Sequence, residues 1–281
     1  MNRFGFIYIG VFFILISLFS FLHIIYSYYF NLYLNIDTYI YLLIISLFFG
    51  VVLFFKKKDE KKITIYEKIL IILIGYLIIP LLISIPYFLS IYNISFLDCY
   101  FEAISGFTST GFSIFNNIKH LDESIILWRS TSQWIGGIYF LFSIILLIDI
   151  FDENLKKSLT NFISFNTTEI LKQLFKIFVL YSILTLFIFV TLKLLNIRTF
   201  DSFNLSMTII SSGGFLPVND IGSIINTNLK EIIFSLLMLI SFFSLFLSYN
   251  LFFLKKKNIN FFIEDLYLLI YFVVLIFIFF I

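Results

Sequence analysis

Residues 98–112 read Asp98-Cys99-Tyr100-Phe101-Glu102-Ala103-Ile104-Ser105-Gly106-Phe107-Thr108-Ser109-Thr110-Gly111-Phe112. A short, mostly apolar stretch, too brief to cross a bilayer as a helix, runs into a polar segment centred on a glycine. Residues 201–215 repeat the plan and close on Ser211-Ser212-Gly213-Gly214-Phe215. At an offset of 103 positions, Asp98 falls on Asp201, Ser109 on Ser212, Gly111 on Gly214, Phe112 on Phe215 and Asn116 on Asn219. Each copy predicts a helix, Asp98–Phe107 and Asp201–Ile210, with the aspartate in the N-cap place. The C-terminal end of such a helix carries partial negative charge, which suits a cation. The chain then turns back with carbonyls exposed. A membrane interior tolerates this only where the backbone is buried in protein or lines a water-filled path. A ring of such carbonyls can replace an ion's hydration shell. The predicted unit is helix, re-entrant pore loop, helix, made twice.

The rest of the chain supplies the membrane part of this reading. Of 281 residues, 61% are hydrophobic and 13% charged, against about 45–50% and about 25% in ordinary soluble domains. A secreted disulfide scaffold, a disordered tail and a nucleic-acid binder are excluded. The one cysteine, Cys99, excludes an internal disulfide and a cysteine-cluster metal site. Ala occurs once while Phe occurs 41 times, which reads as nucleotide bias among equivalent apolar residues. Seven stretches are long enough to span, near 4–26, 39–55, 65–90, 124–148, 174–195, 231–254 and 262–281. The first has too long an apolar run, and no small-residue cleavage site, for a signal peptide. Lysine placement orients them. With the N-terminus and the runs at Lys56–Lys62, Lys156–Lys176 and Lys255–Lys257 on one side, taken as cytoplasmic, that side holds 14 of the 19 basic residues, Lys68 included. The other side keeps Lys119, Arg129, Lys193, Arg198 and Lys230. The expected fold class is an all-α polytopic membrane protein. It has about seven transmembrane helices and two re-entrant repeats, with the N-terminus inside.

Polar residues within the spans are the candidates for chemistry. Arg129, Gln133 and Gly136 share one helix face at spacing i, i+4, i+7. Two readings of Arg129 stand: near the outer end of its span it snorkels to water, or, as intramembrane charges usually do, it faces the protein interior and pairs, with Glu102 on the first pore helix as partner. A bare arginine on a cation path would repel the ion, so a bracing role is expected. Gly136 and Gly137 should allow close packing against the pore helix. Pro80 and Pro86 should kink or end the third span. No dinucleotide fingerprint, Walker sequence, zinc-protease motif or nucleophile elbow is present. The chain reads as a non-enzyme with no bound cofactor.

These residues resemble the membrane subunit of Trk/Ktr-type potassium transporters, a family related to plant HKT proteins. Asp98–Gly111 resembles the family's first pore helix and filter. Trp128-Arg129-Ser130-Thr131-Ser132-Gln133-Trp134-Ile135-Gly136-Gly137 resembles the start of the following helix, and Ile85–Ser90 the end of the preceding one. Thr208–Phe215 resembles the second filter. The resemblance implies potassium uptake. Thr108, Ser109, Thr110, Gly111 and Phe112, with Ser211, Ser212, Gly213, Gly214 and Phe215, would form filter segments. K+, the transported ion, would sit at Thr110, Gly111, Gly213 and Gly214. Asp98, Glu102, Arg129, Gln133, Gly136, Gly137 and Asp201 would support the pore. In the plant relatives a serine at the first filter position accompanies sodium preference, so Gly111 leans toward potassium. The implied location is the bacterial cytoplasmic membrane, and the implied partner a cytosolic nucleotide-binding regulatory subunit of the Trk A/Ktr A type.

The family has four such repeats in one chain. Here the expected organisation is a helix pair (1–62), repeat one (63–155), repeat two (156–257) and the first helix of a third (258–281). The sequence stops at Phe279-Phe280-Ile281 inside an apolar span and so reads as truncated or split. A second chain or a homodimer would supply the other filters. The competing expectation is a non-conducting fragment or scaffold for the regulatory subunit.

Overall fold

The computed structural model describes residues 3–55, 65–147 and 167–239, with residues 267, 270, 271 and 274. Among the described residues all regular structure is helical. The order is α1 (Arg3–Tyr29), α2 (Ile36–Phe54), α3 (Ile65–Ile83), α4 (Ile85–Phe88), α5 (Phe96–Phe107), α6 (Glu123–Leu147), α7 (Thr167–Leu194), α8 (Thr199–Ile210) and a helix over 228–239, α9.

Among the described residues, four helical stretches are long and apolar enough to cross a membrane: Ile7–Tyr29, Tyr33–Phe54, Tyr66–Phe88 and Phe175–Leu194. The chain is a multi-pass membrane protein. Helix α6 has 25 residues and the length to span, at about 1.5 Å per residue. Its N-terminal half carries Arg129, Ser130, Thr131, Ser132 and Gln133, all buried by neighbouring helices. The expected spans at 231–254 and 262–281 lie largely outside the described residues. So do the lysines at 56–62, 156–157 and 255–257.

Helix α6 is the hub. It packs against α1, α3, α5, α7 and α8, while α1 and α2 form a tight outer pair. That pair approaches through small residues: a Cβ on Gly50 would lie 3.0 Å from the Ile14 nitrogen. On its inner face α1 buries Tyr8, Phe12, Ile16 and Phe19. Phe12 meets Tyr139 of α6 edge-on at 4.8 Å, and Phe19 meets Trp134 at 5.1 Å.

Of the two prolines expected to kink or end the third span, the break falls at the second. Pro80 sits inside α3 without ending it, and the break comes at Ser84, before Pro86 near the start of α4. Proline lacks an N–H and clashes with the preceding turn, so the junction falls just N-terminal to Pro86. The Trp128 indole donates to the Ile83 carbonyl at this junction, at 3.0 Å, and pins α6 to it.

Candidate functional site

Both short helices of the repeat are present, each of 12 residues, and each starts earlier than expected. Asp98 is not the N-cap of α5. Ser95 holds that place: its hydroxyl accepts from the Asp98 N–H at 3.2 Å and donates to the Asp98 carboxylate at 2.7 Å. Ser95 is thus the side-chain N-cap, with the aspartate as the third helical residue and its carboxylate on the cap hydroxyl. Asp201 likewise is the third residue of α8, whose cap is Arg198, with no side-chain cap bond. Arg198 pairs instead with Glu123 at the start of α6. The hydrogen bond it donates to Glu123 holds the guanidinium above its ordinary range, and burial pushes the Asp201 carboxyl up.

The helix ends carry the repeat into the backbone. After α5, the Ser109 N–H donates to Gly106 and the Thr110 N–H to Ser105, each at 2.9 Å. After α8, the Ser212 N–H donates to Ile209 and the Gly213 N–H to Thr208, again at 2.9 Å. Both are Schellman turns, which absorb carbonyls left over at a helix C-terminus. Serine occupies the left-handed position in each, with φ +55° and +53°. The correspondence continues outward on both sides. Asn93 and Asn196 both adopt positive φ. Asn117 and Asp220 each accept from the N–H two residues on and open a 3-10 turn, Ile118–His120 and Ile221–Ser223. Each of these pairs is also 103 positions apart.

The two glycine loops meet. Gly111 has φ +82°, and a Cβ built on it would lie 2.5 Å from the Gly214 Cα. Further out, Asn219 bridges the loops: its oxygen accepts from the Ile118 N–H and its nitrogen donates to the Asn117 oxygen, both at 2.7 Å. Thr108, Thr110, Phe112, Ser212 and Gly214 are exposed, while Ser109, Gly111 and Gly213 are half-buried and Ser211 is buried. The aligned phenylalanines diverge. Phe112 is 68% exposed, whereas Phe215 is 1% exposed and lies under the Arg129 guanidinium, 4.2 Å from its carbon.

Behind the loops, Arg129 and Glu102 form an ion pair at 2.8 Å with side-chain exposures of 1% and 0%. The second Glu102 oxygen accepts from the Ile114 N–H at 2.8 Å, and the first also accepts from Ser113 Oγ at 3.0 Å. Gly136 lets the α6 backbone lie against the Phe107 carbonyl, while Gly137 admits Tyr181 of α7 and Ser211.

Two supporting contacts were not legible in the motifs. Ser105 Oγ donates to the Phe112 carbonyl at 2.5 Å and closes the first loop on its own helix. Gln133 serves the second loop, not the first. In the amide orientation that satisfies its neighbours, its oxygen accepts from the Gly214 and Phe215 N–H groups at 3.0 Å. Its nitrogen donates to Thr208 Oγ1 at 3.1 Å. Gln133→Leu leaves the buried Phe215 N–H without an acceptor. It should cost about 1–3 kcal/mol, measurable as a lowered unfolding temperature in detergent, with Gln133→Glu recovering part of the loss.

No protein-family model matches the sequence. An uncharacterized cation transporter of Methanocaldococcus jannaschii is 30% identical over 215 residues, 69% of this chain and 43% of that protein. The Trk system potassium uptake protein TrkG of Escherichia coli is 24% identical over 217 residues, 75% of this chain and 44% of its own length. The chain therefore spans less than half the length of these relatives. In fold it is similar to the crystal structure of the potassium transporter TrkH from Vibrio parahaemolyticus. The TM-score is 0.68 at 22% identity, covering 88% of this chain and 53% of that one. The chain thus shares the fold of that transporter, matched over about half of its length.

Proposed function

We propose that this chain is part of a Trk-type potassium pore, in which the loops after α5 and α8 are re-entrant filter segments. One observation carries the reading. Two 12-residue helices end in the same Schellman turn, 103 positions apart, and bring Gly111 and Gly214 into contact. Backbone carbonyls around Thr110, Gly111, Gly213 and Gly214 would replace water around K+. Uptake would be driven by the membrane potential, about 2.3 kcal/mol per charge per 100 mV. The names of the similar proteins support the same ion class.

In this reading the two glycines are neighbours on one rim of the pore. Further filter segments, from a second chain or a second copy, would face the exposed Thr108, Thr110 and Ser212. The units are the helix pair 1–62 and the repeats 63–155 and 156–257, with 258–281 opening a third. The membrane is the bacterial cytoplasmic one, with the N-terminus and lysine runs inside, where a nucleotide-binding regulatory subunit would dock.

A bacterial strain without potassium uptake tests the proposal. The chain is expressed alone and with the C-terminal half of a Trk subunit. Growth at low potassium and rubidium accumulation are expected in at least one setting. If the chain reaches the membrane and neither setting shows uptake, the conducting reading is lost and the scaffold reading replaces it.

A further inference from the structure

The Arg129 guanidinium touches both glycine loops at places that the repeat makes equivalent. Its Nη2 donates to Ser113 Oγ at 2.9 Å, two residues past Gly111. Its Nη1 donates to the Leu216 carbonyl at 3.4 Å, two residues past Gly214. Ser113 and Leu216 are themselves 103 positions apart. The remaining donor, Nε, is held by Glu102 at 2.8 Å. The second repeat has Leu205 where the first has Glu102, so the second loop takes its ionic anchor from the first.

We infer that Arg129 ties the two loops together and, by fixing their spacing, sets which monovalent cation passes. This rests on the proposed filter role of the loops. Discrimination by a carbonyl cage depends on how ligands from separate segments are held relative to one another. Arg129 stands behind the loops, 1% exposed, and acts on the ion through them as a positioning residue. Only a planar fork with several separate N–H groups can serve Glu102, Ser113 and Leu216 at once. A lysine keeps the charge but offers one nitrogen.

The test uses Arg129→Lys in the full chain with two readouts. For the first, Cys99 is replaced by serine and nitroxide labels are attached at Phe112→Cys and Ser212→Cys, both exposed positions. Pulsed electron resonance then measures the loop spacing. Arg129→Lys should broaden the distance distribution. For the second, rubidium and sodium uptake are compared without labels, under whichever expression setting supports transport. Their ratio should fall about tenfold, the effect of one lost anchoring bond of ordinary strength, while uptake itself persists. A lower yield of folded protein with unchanged spacing and ratio would mean a purely structural role and overturn the inference. If no setting carries cations, the filter reading fails, and with it the selectivity part of the inference. The label distances then decide the tie alone, and unchanged spacing overturns it.

Discussion

Glu102→Leu is expected to destabilise the protein by about 3–5 kcal/mol, the usual cost of stripping one partner from a buried ion pair. The substitution places in the first repeat the residue that the second carries at Leu205. In the first repeat it leaves three donors facing an apolar side chain: Arg129 Nε, the Ser113 hydroxyl and the Ile114 N–H. The guanidinium cannot escape to water, because Phe115 and Phe215 lie over it. The companion Arg129→Met should cost a similar amount. The double substitution should cost less than the sum of the two singles by at least about 2 kcal/mol, since the second change removes the stranded charge. Thermal unfolding in detergent, followed through the fluorescence of Trp128 and Trp134, measures all three. Strict additivity would mean that the two side chains do not act as a pair. The exposed Arg198–Glu123 pair serves as the control. Arg198 is 62% exposed, and its loss should cost no more than about 1 kcal/mol.

How much of this could be read beforehand differs by level. The offset of 103 positions was legible because glycine and serine at matched places leave a trace in the sequence. The ends of α5 and α8 followed from the same trace. The shared face of Arg129, Gln133 and Gly136 was legible from helical spacing. Which neighbour that face meets was not. Periodicity orders residues around one helix and is silent about the next, so the reach of Gln133 across to the second loop had no signal. The Ser95 cap was hidden because Asp98, three residues on, is an equally good capping residue by type. Phe112 and Phe215 align in the repeat yet differ in burial, because only the second lies beneath Arg129. The break at Ser84 required knowing that α3 carries Pro80 through without ending.

Gly111→Ala should destabilise the protein by about 3 kcal/mol. Two effects add. Its φ of +82° disfavours any side chain, at about 1–2 kcal/mol. Its Cβ would also sit 2.5 Å from the Gly214 Cα and 2.8 Å from the Gly214 nitrogen. Those are backbone atoms that cannot rotate away, and overpacking of this kind costs about 1–3 kcal/mol. Gly214→Ala should be milder, because its Cβ would lie 3.0 Å from the Gly111 Cα and its φ is not positive. The same unfolding assay should rank the two in that order. An equal or reversed ranking would mean that the loops do not abut as described.

If these two loops select the ion, the ratio of rubidium to sodium uptake depends on their glycines. That ratio is measured on the chain and on its Gly111→Ser and Gly214→Ser variants, under whichever expression setting supports transport. The unaltered chain should favour rubidium, and each serine variant, while still reaching the membrane, should lose much of that preference. Unchanged uptake and unchanged preference in both variants would contradict selection by these loops.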